Sequence, residues 1–373
     1  MKINPIQINW MNDENYFFVN PMESTGYHDS NIFKKFTGHL FIHTSGTKSK
    51  KCVALSKKAF LHSAESVNHH LQVQKEDKWL ISLPLFHVGG LSILARSFLS
   101  QSSYFIMKGR WSPHNFLAHL KEHRVTFTSL VPTQIYDLVS HKIKAPDLLK
   151  AIVVGGGALH KNLYNSSRAL NWPLLPSYGM TEVSSQIATA NIHSLKQKNY
   201  PSLEILKHCQ IKIFPGNKVA IKSPALLTGW LTSNKPDTME IPLHRGWFIT
   251  EDKGHLKNST LTVFGRDDMC KINGENVSLY ELENILIKIL IDQKCPPNYQ
   301  LLHAPHPRTG SQIILVTAEN NVDLLENIRK EFNVQVRPFE KIQNCYLVPH
   351  LPKGHLSKIQ ISNLKKYLGF NKP

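Results

Sequence analysis

The chain has 373 residues, 41% apolar and 19% charged, which is enough to build two or three buried cores and excludes a disordered or fibrous chain. Its least polar stretch, residues 88–99, contains Ser92, Arg96 and Ser97 and falls short of the roughly 18 to 20 apolar residues of a membrane helix, so no membrane span is expected. The net charge of +17 is spread along the chain without a basic arm or aromatic-interleaved module, which reads first as a solvated basic surface and next as one for phosphate-bearing small ligands, ahead of nucleic acid.

The first 18 residues mix Lys2 with Asp13 and Glu14 and lack an apolar core before a small-residue cleavage site. Five scattered cysteines, an odd number with no C-x-x-C pair, suit a reducing compartment, so a cytoplasmic location is expected and structural zinc is not. Of the 20 histidines, the pairs His69-His70 and His303 with His306 lack complementary metal ligands.

In chain order, the apolar strand Leu40-Phe41-Ile42 leads into a polar loop, and Ser56 caps a helix running to Leu71. A strand over residues 78–83 ends at Pro84, Ser112-Pro113 opens a helix to His123, and a strand follows over 125–131. Ala151-Ile152-Val153-Val154 runs into Gly155-Gly156-Gly157, a junction that lets backbone approach a ligand. Short strands over 210–213 and 218–221 flank the Pro215-Gly216 turn. After a polar turn at 265–268 come a helix over 278–291, a strand near 311–318, a helix over 322–332 and strands toward Val348. The alternation predicts an α/β fold, divided into residues 1–264 and 265–373.

Three segments carry candidate chemistry. Thr44-Ser45-Gly46-Thr47-Lys48-Ser49-Lys50-Lys51 offers hydroxyls, backbone N–H groups and ammonium ions to a polyphosphate, although it is not a Walker A sequence. In Ser177-Tyr178-Gly179-Met180-Thr181-Glu182 the phenol can lie against a base, Thr181 can bond phosphate and Glu182 can ligate Mg²⁺, while taken alone Thr-Glu equally starts a helix. Lys358 lies in Pro352-Lys353-Gly354-His355-Leu356-Ser357-Lys358, and by itself such a lysine is a solvated surface residue.

These segments, with Thr250-Glu251-Asp252 and Gly265-Arg266-Asp267-Asp268 in order between them, resemble the signatures of the acyl-adenylate-forming superfamily over about residues 38 to 367. Within it, Leu83-Pro84-Leu85-Phe86-His87-Val88-Gly89-Gly90-Leu91-Ser92 and Gly274-Glu275-Asn276-Val277 are most similar to the o-succinylbenzoate-CoA ligases of menaquinone biosynthesis. The resemblance implies a large multi-subdomain N-terminal adenylate-forming domain and a smaller mobile α+β C-terminal domain. It also implies ATP and Mg²⁺, a small-molecule carboxylic acid, and coenzyme A as co-substrate. Homo-oligomerisation is left open.

By the same resemblance, Thr44, Ser45, Gly46, Thr47 and Lys51 hold the ATP phosphates, and Gly155, Gly156, Gly157, Ser177 and Gly179 line the nucleotide and acyl pocket. Tyr178 flanks adenine, Thr181 contacts phosphate, Glu182 binds Mg²⁺, Asp252 takes the ribose hydroxyls, and Arg266 supports the ribose or phosphate region. His87 sits beside the acyl group, Lys358 neutralises charge during adenylation, and Asp267 or Asp268 is the hinge, with Asp267 preferred.

The chain departs from the pattern at the phosphate loop, which lacks its second glycine and proline, at Glu251, and at Ser357, where glycine is usual. Only about 43 residues precede the phosphate loop, so the N-terminal domain is read as shortened. Another acyl- or aryl-CoA ligase, or a degenerate nucleotide-binding protein without ligase activity, are the alternative readings.

Overall fold

The computed structural model describes residues 8–18, 31–44, 51–232, 235–265, 269–354 and 359–370. Helices α1 (Lys57–Leu71), α2 (Val88–Ser100), α3 (Pro113–Glu122), α4 (Pro132–Ser140), α5 (Lys161–Ala169), α6 (Leu279–Asp292), α7 (Val322–Asn333) and α8 (Ile361–Tyr367) alternate with strands. The fold is mixed α/β, as expected. Among the described residues no helix is long and apolar enough to cross a membrane.

Local chemistry sets the helix starts. Ser56 accepts from the Ala59 amide, Ser112 from Asn115 with Pro113 in the first turn, and Ser278 from Glu281, each satisfying an amide that the helix itself leaves unbonded. Helix α2 was not legible from propensity, because Gly89 and Gly90 sit in its first turn. Packing decides it: a Cβ at Gly90 would lie 2.5 Å from the Leu83 carbonyl oxygen, so the glycine lets the helix start close against the preceding strand exit.

The chain divides into two compact units. One comprises residues 1–131, 145–156 and 172–263, and the other 132–144, 157–171 and 264–373. In the first, five strands pair in the order Tyr16–Phe18, His39–Thr44, Lys51–Ser56, Gly229–Thr232, Lys235–Glu240. A larger sheet holds a parallel run, Ser103–Ile106, Lys78–Ile81, Phe127–Leu130, Ala151–Val154 and Leu174–Met180. It then turns antiparallel through Ser185–Thr189, Leu203–Ile205 and Thr260–Gly265, ending at Gln210–Phe214. Trp79 and Phe127 stack at 5.1 Å in its core.

In the second unit, Tyr299–His306, Gly310–Thr317 and Ile342–Leu347 form a three-stranded sheet whose core includes Leu302, Ile314, Val316 and Leu364. Helix α5 meets α6 there: His160 lies 3.3 Å from the Glu283 carboxylate, and Asn162 donates to the Asn284 carbonyl at 2.6 Å. The Tyr136 hydroxyl of α4 donates to the carbonyl of Cys295.

Candidate active site

Parallel strands expose their C-terminal ends where the following loops leave the sheet, and such edges collect ligands in α/β folds. Two sequence-predicted segments leave adjacent strands there. Ala151–Val154 runs into Gly155 and Gly156, the latter at φ +78°, and Gly155 donates to the Leu130 carbonyl at 3.2 Å. The neighbouring strand carries the Ser177-to-Met180 motif, and a Cβ on Gly155 would lie 3.8 Å from the Ser177 carbonyl. Gly157 falls in the second unit, where its Cβ direction faces Pro132 at 3.6 Å.

Leu174–Met180 changes partners along its length. Leu174 to Pro176 pair in parallel with Ala151–Val154, whereas Ser177 to Met180 pair antiparallel with Ser185–Thr189. The motif therefore extends from the sheet at the point where the strand direction reverses. Read by itself as a helix start, it proves to be the end of a strand followed by a single 3-10 turn, Thr181–Val183. A register shift between Tyr178 and Gly179 marks the bend, and a Cβ on Gly179 would lie 2.1 Å from the Ser185 carbonyl oxygen.

The Tyr178 hydroxyl donates to Oδ2 of Asp252 at 2.9 Å. Asp252 is itself held locally, since its amide donates to Thr250 Oγ1 at 3.1 Å and that hydroxyl donates to the Asp252 carbonyl at 3.2 Å. Thr250 is buried, while Tyr178 and Asp252 remain partly exposed. The pair thus fixes an aromatic ring beside a carboxylate that keeps acceptor capacity for other donors. Ser177 Oγ lies 2.8 Å from Thr189 Oγ1.

Thr44 and Lys51 are the paired ends of antiparallel strands. The strand Lys51–Ser56 therefore separates Lys51 from α1. The Lys51 ammonium lies 3.2 Å from the Trp230 ring centroid, a cation–π contact that orients it. Lys51's strand and the Glu182 turn are tied by one short segment: the Leu227 amide donates to the Glu182 carbonyl, the Thr228 amide donates to Ala54, and Gly229–Thr232 continues as the neighbouring strand. Thr181 and Glu182 are both partly exposed, and a carboxylate is a hard oxygen ligand of the kind Mg²⁺ takes.

His87 is the residue before α2, in extended conformation, with its ring 4.8 Å from that of Phe86. Ser45, Gly46, Thr47, Arg266, Asp267, Asp268 and Lys358 lie outside the described residues. Lys353 and Ile359, on either side of Lys358, form an antiparallel bridge.

In the sequence Arg96 only interrupts an apolar run. It is fully buried on α2, its Nη2 donates to Ser185 Oγ at 3.2 Å, and its Nε and Nη1 have no hydrogen-bond partner among the described residues. Burial pulls the guanidinium down to about 9. The signal available in the sequence was an arginine inside an otherwise apolar helix, since a charge is rarely buried without a partner. Ser185 links it to the site, being the residue against which Gly179 packs.

The residues present suit a nucleotide and a hard cation: a fixed aromatic face, an acceptor carboxylate, close-approach glycines, an oriented ammonium and a carboxylate at a turn. The family profile described as AMP-binding enzyme matches residues 16–226. Two relatives are named 2-succinylbenzoate–CoA ligase: that of Bacillus subtilis is 30% identical over 66% of this chain and 52% of its own, and that of Oceanobacillus iheyensis 28% identical over 87% and 69%. The chain thus spans about half the length of the first of these. The o-succinylbenzoate coenzyme A synthetase of Bacillus subtilis, solved in complex with ATP and magnesium ion, superposes with a TM-score of 0.71 at 27% identity over 87% of this chain and 69% of its own. The anthranilate CoA ligase AuaEII shares the fold alone, with a TM-score of 0.72 at 17% identity over 88% of this chain and 67% of its own. This chain belongs to the family of AMP-binding enzymes.

Proposed function

We propose that the protein is an ATP-dependent acid–CoA ligase acting in the cytoplasm on o-succinylbenzoate, giving o-succinylbenzoyl-CoA for menaquinone biosynthesis. The observation that carries this reading is the Tyr178–Asp252 hydrogen bond, which holds an aromatic ring suited to a base beside a carboxylate suited to ribose hydroxyls. The likeness to the Bacillus subtilis synthetase solved with ATP and magnesium ion supports the same reading.

In the first half-reaction an oxygen of the substrate carboxylate attacks the α-phosphorus of ATP and pyrophosphate leaves. Thr44, Ser45, Gly46, Thr47, Lys51 and Thr181 hold the phosphates, with Gly155, Gly156, Gly157, Ser177 and Gly179 allowing close backbone approach. Asp252 and Arg266 hold the ribose and phosphate region. Glu182 would hold Mg²⁺, which neutralises phosphate charge when bound. His87 orients the acyl group. Lys358 meets the negative charge that develops on the nonbridging oxygens, an electrostatic contribution whose loss typically costs about 3 kcal/mol.

In the second half-reaction the thiol of coenzyme A attacks the acyl carbonyl and AMP departs. Residues 265–373 form a mobile domain turning about Asp267, so Lys358 serves adenylation and withdraws for thioester formation. O-succinylbenzoate carries two carboxylates, of which one is activated. Arg96, with two buried donors left over, is suited to the other.

Pyrophosphate release across a panel of acids tests the proposal. Turnover with o-succinylbenzoate is expected. Turnover restricted to a fatty or benzoic acid replaces the substrate, and ATP binding without adenylate formation from any acid overturns the ligase reading. Lys358→Ala should slow adenylation and leave thioester formation from preformed acyl-adenylate nearly unchanged, and equal slowing of both steps would reject the alternating role.

A further inference from the structure

We propose that the C-terminal turn of α3 carries a surface site for a borderline divalent transition-metal ion such as Zn²⁺, built from His119, Glu122 and His123 and separate from the proposed Mg²⁺ ligand Glu182. The three side chains each offer one ligand atom, and those atoms lie within 4.8 Å of one another. Positions i, i+3 and i+4 share one face of a helix, which is why a sequence-distance reading of histidine pairs passes over them while the helix brings them together.

Two features prepare the site. The His123 ring is stacked on Phe105 at 4.2 Å with the planes 4° apart, and His119 lies parallel to it at 5.6 Å and 19°. Both imidazoles are thereby held in place before any ion arrives. His119 Nδ1 is buried with no hydrogen-bond partner among the described residues, and its Nε2 accepts a long bond, 3.3 Å, from the Lys108 amide. That contact is long for a hydrogen bond, so it competes only weakly with a metal ion for the imidazole. The Glu122 carboxylate is 3.9 Å from His123 Nε2 and is exposed, so it is free to close the distance.

Metal bonds to imidazole and carboxylate of about 2.0–2.2 Å place tetrahedral ligand atoms closer together than 4.8 Å, so binding draws the three inward by side-chain rotation. Two nitrogens and one oxygen suit Zn²⁺, Ni²⁺ or Cu²⁺ and disfavour Mg²⁺, which prefers an all-oxygen octahedron. The helix C-terminus adds negative potential from its aligned peptide dipoles. An ion here would clip the last turn of α3, with water completing its coordination.

The test is calorimetric titration of the tag-free full chain with ZnCl₂ in excess MgCl₂, alongside His119→Ala, His123→Gln and Glu122→Gln, each checked by circular dichroism. The wild type should bind one ion that both histidine variants lose by at least roughly tenfold, the scale by which even outer-shell partners alter metal affinity. ZnCl₂ should also raise the melting temperature of the wild type more than that of either histidine variant. No binding by the folded wild type, equal binding by the histidine variants, or loss of the ion on Cys345→Ser instead would overturn the proposal.

Discussion

Tyr178 and Asp252, 74 residues apart in sequence, are joined by a 2.9 Å hydrogen bond between the phenol and the carboxylate. Tyr178→Phe keeps the ring and removes the donor, and should raise the KM for ATP about fivefold, the equivalent of about 1 kcal/mol, with little change in kcat. Asp252→Ala removes the acceptor for the ribose as well, and should weaken ATP binding by roughly 10- to 100-fold. Steady-state pyrophosphate release measures both.

Replacing Arg96 separates stability from recognition. A buried cation exchanged for an apolar side chain of similar volume is often neutral or stabilising, so Arg96→Met should keep or raise the melting temperature. The same variant should lose roughly 30-fold or more in kcat/KM for o-succinylbenzoate, about 2 kcal/mol, and much less for a monocarboxylic acid. Equal losses for both acids would remove Arg96 from substrate recognition.

At Gly179 a methyl group meets the backbone of Ser185 at 2.1 Å, which no side-chain rotation relieves. Gly179→Ala should therefore shift the bend after Tyr178 and cost about 1–3 kcal/mol of stability. Chemical denaturation measures the cost, and adenylation should fall with it because Tyr178 and Thr181 flank the displaced residue.

Chelation addresses Glu182. EDTA should abolish pyrophosphate release and MgCl₂ restore it. Glu182→Gln, which retains an oxygen but loses the charge, should raise the Mg²⁺ concentration for half-maximal activity by roughly tenfold, as an ion–ligand attraction weakens.

Burial pulls His208 down to about 4, with the Gln186 backbone weakly opposing and His62 adding to the shift. The folded state thus resists a proton that the unfolded chain accepts near pH 6.5. Above pH 6.5 both states are neutral and the contribution is intact. As pH falls from 6.5 to about 4 the unfolded state gains protons first, and up to about 3 kcal/mol of stability is lost. His208→Gln should flatten the fall of the denaturation midpoint over that range relative to wild type.

Much of the framework was legible because it is local. Ser56, Ser112 and Ser278 cap the helices expected of them, and the strands on either side of Pro215-Gly216 pair antiparallel. Helix α2 escaped because Gly89 and Gly90 look like a break until Leu83 and Pro84 are seen packed against them. Thr181 and Glu182 favour a helix start by residue type, and they open only a single 3-10 turn, since strand pairing with Ser185–Thr189 claims Tyr178 to Met180.

The sequence by itself determined the alternation of elements, the helix caps and the order of the signature motifs, since each depends on residues within a few positions of one another. Only the tertiary structure decided that Tyr178 meets Asp252, that Lys51 begins a strand against Trp230, that Arg96 is buried with donors to spare, and that two stacked imidazoles lie near Glu122. Those relationships depend on sheet register and on helix faces. Side-chain chemistry identifies which groups can act, whereas packing places them within reach of one another.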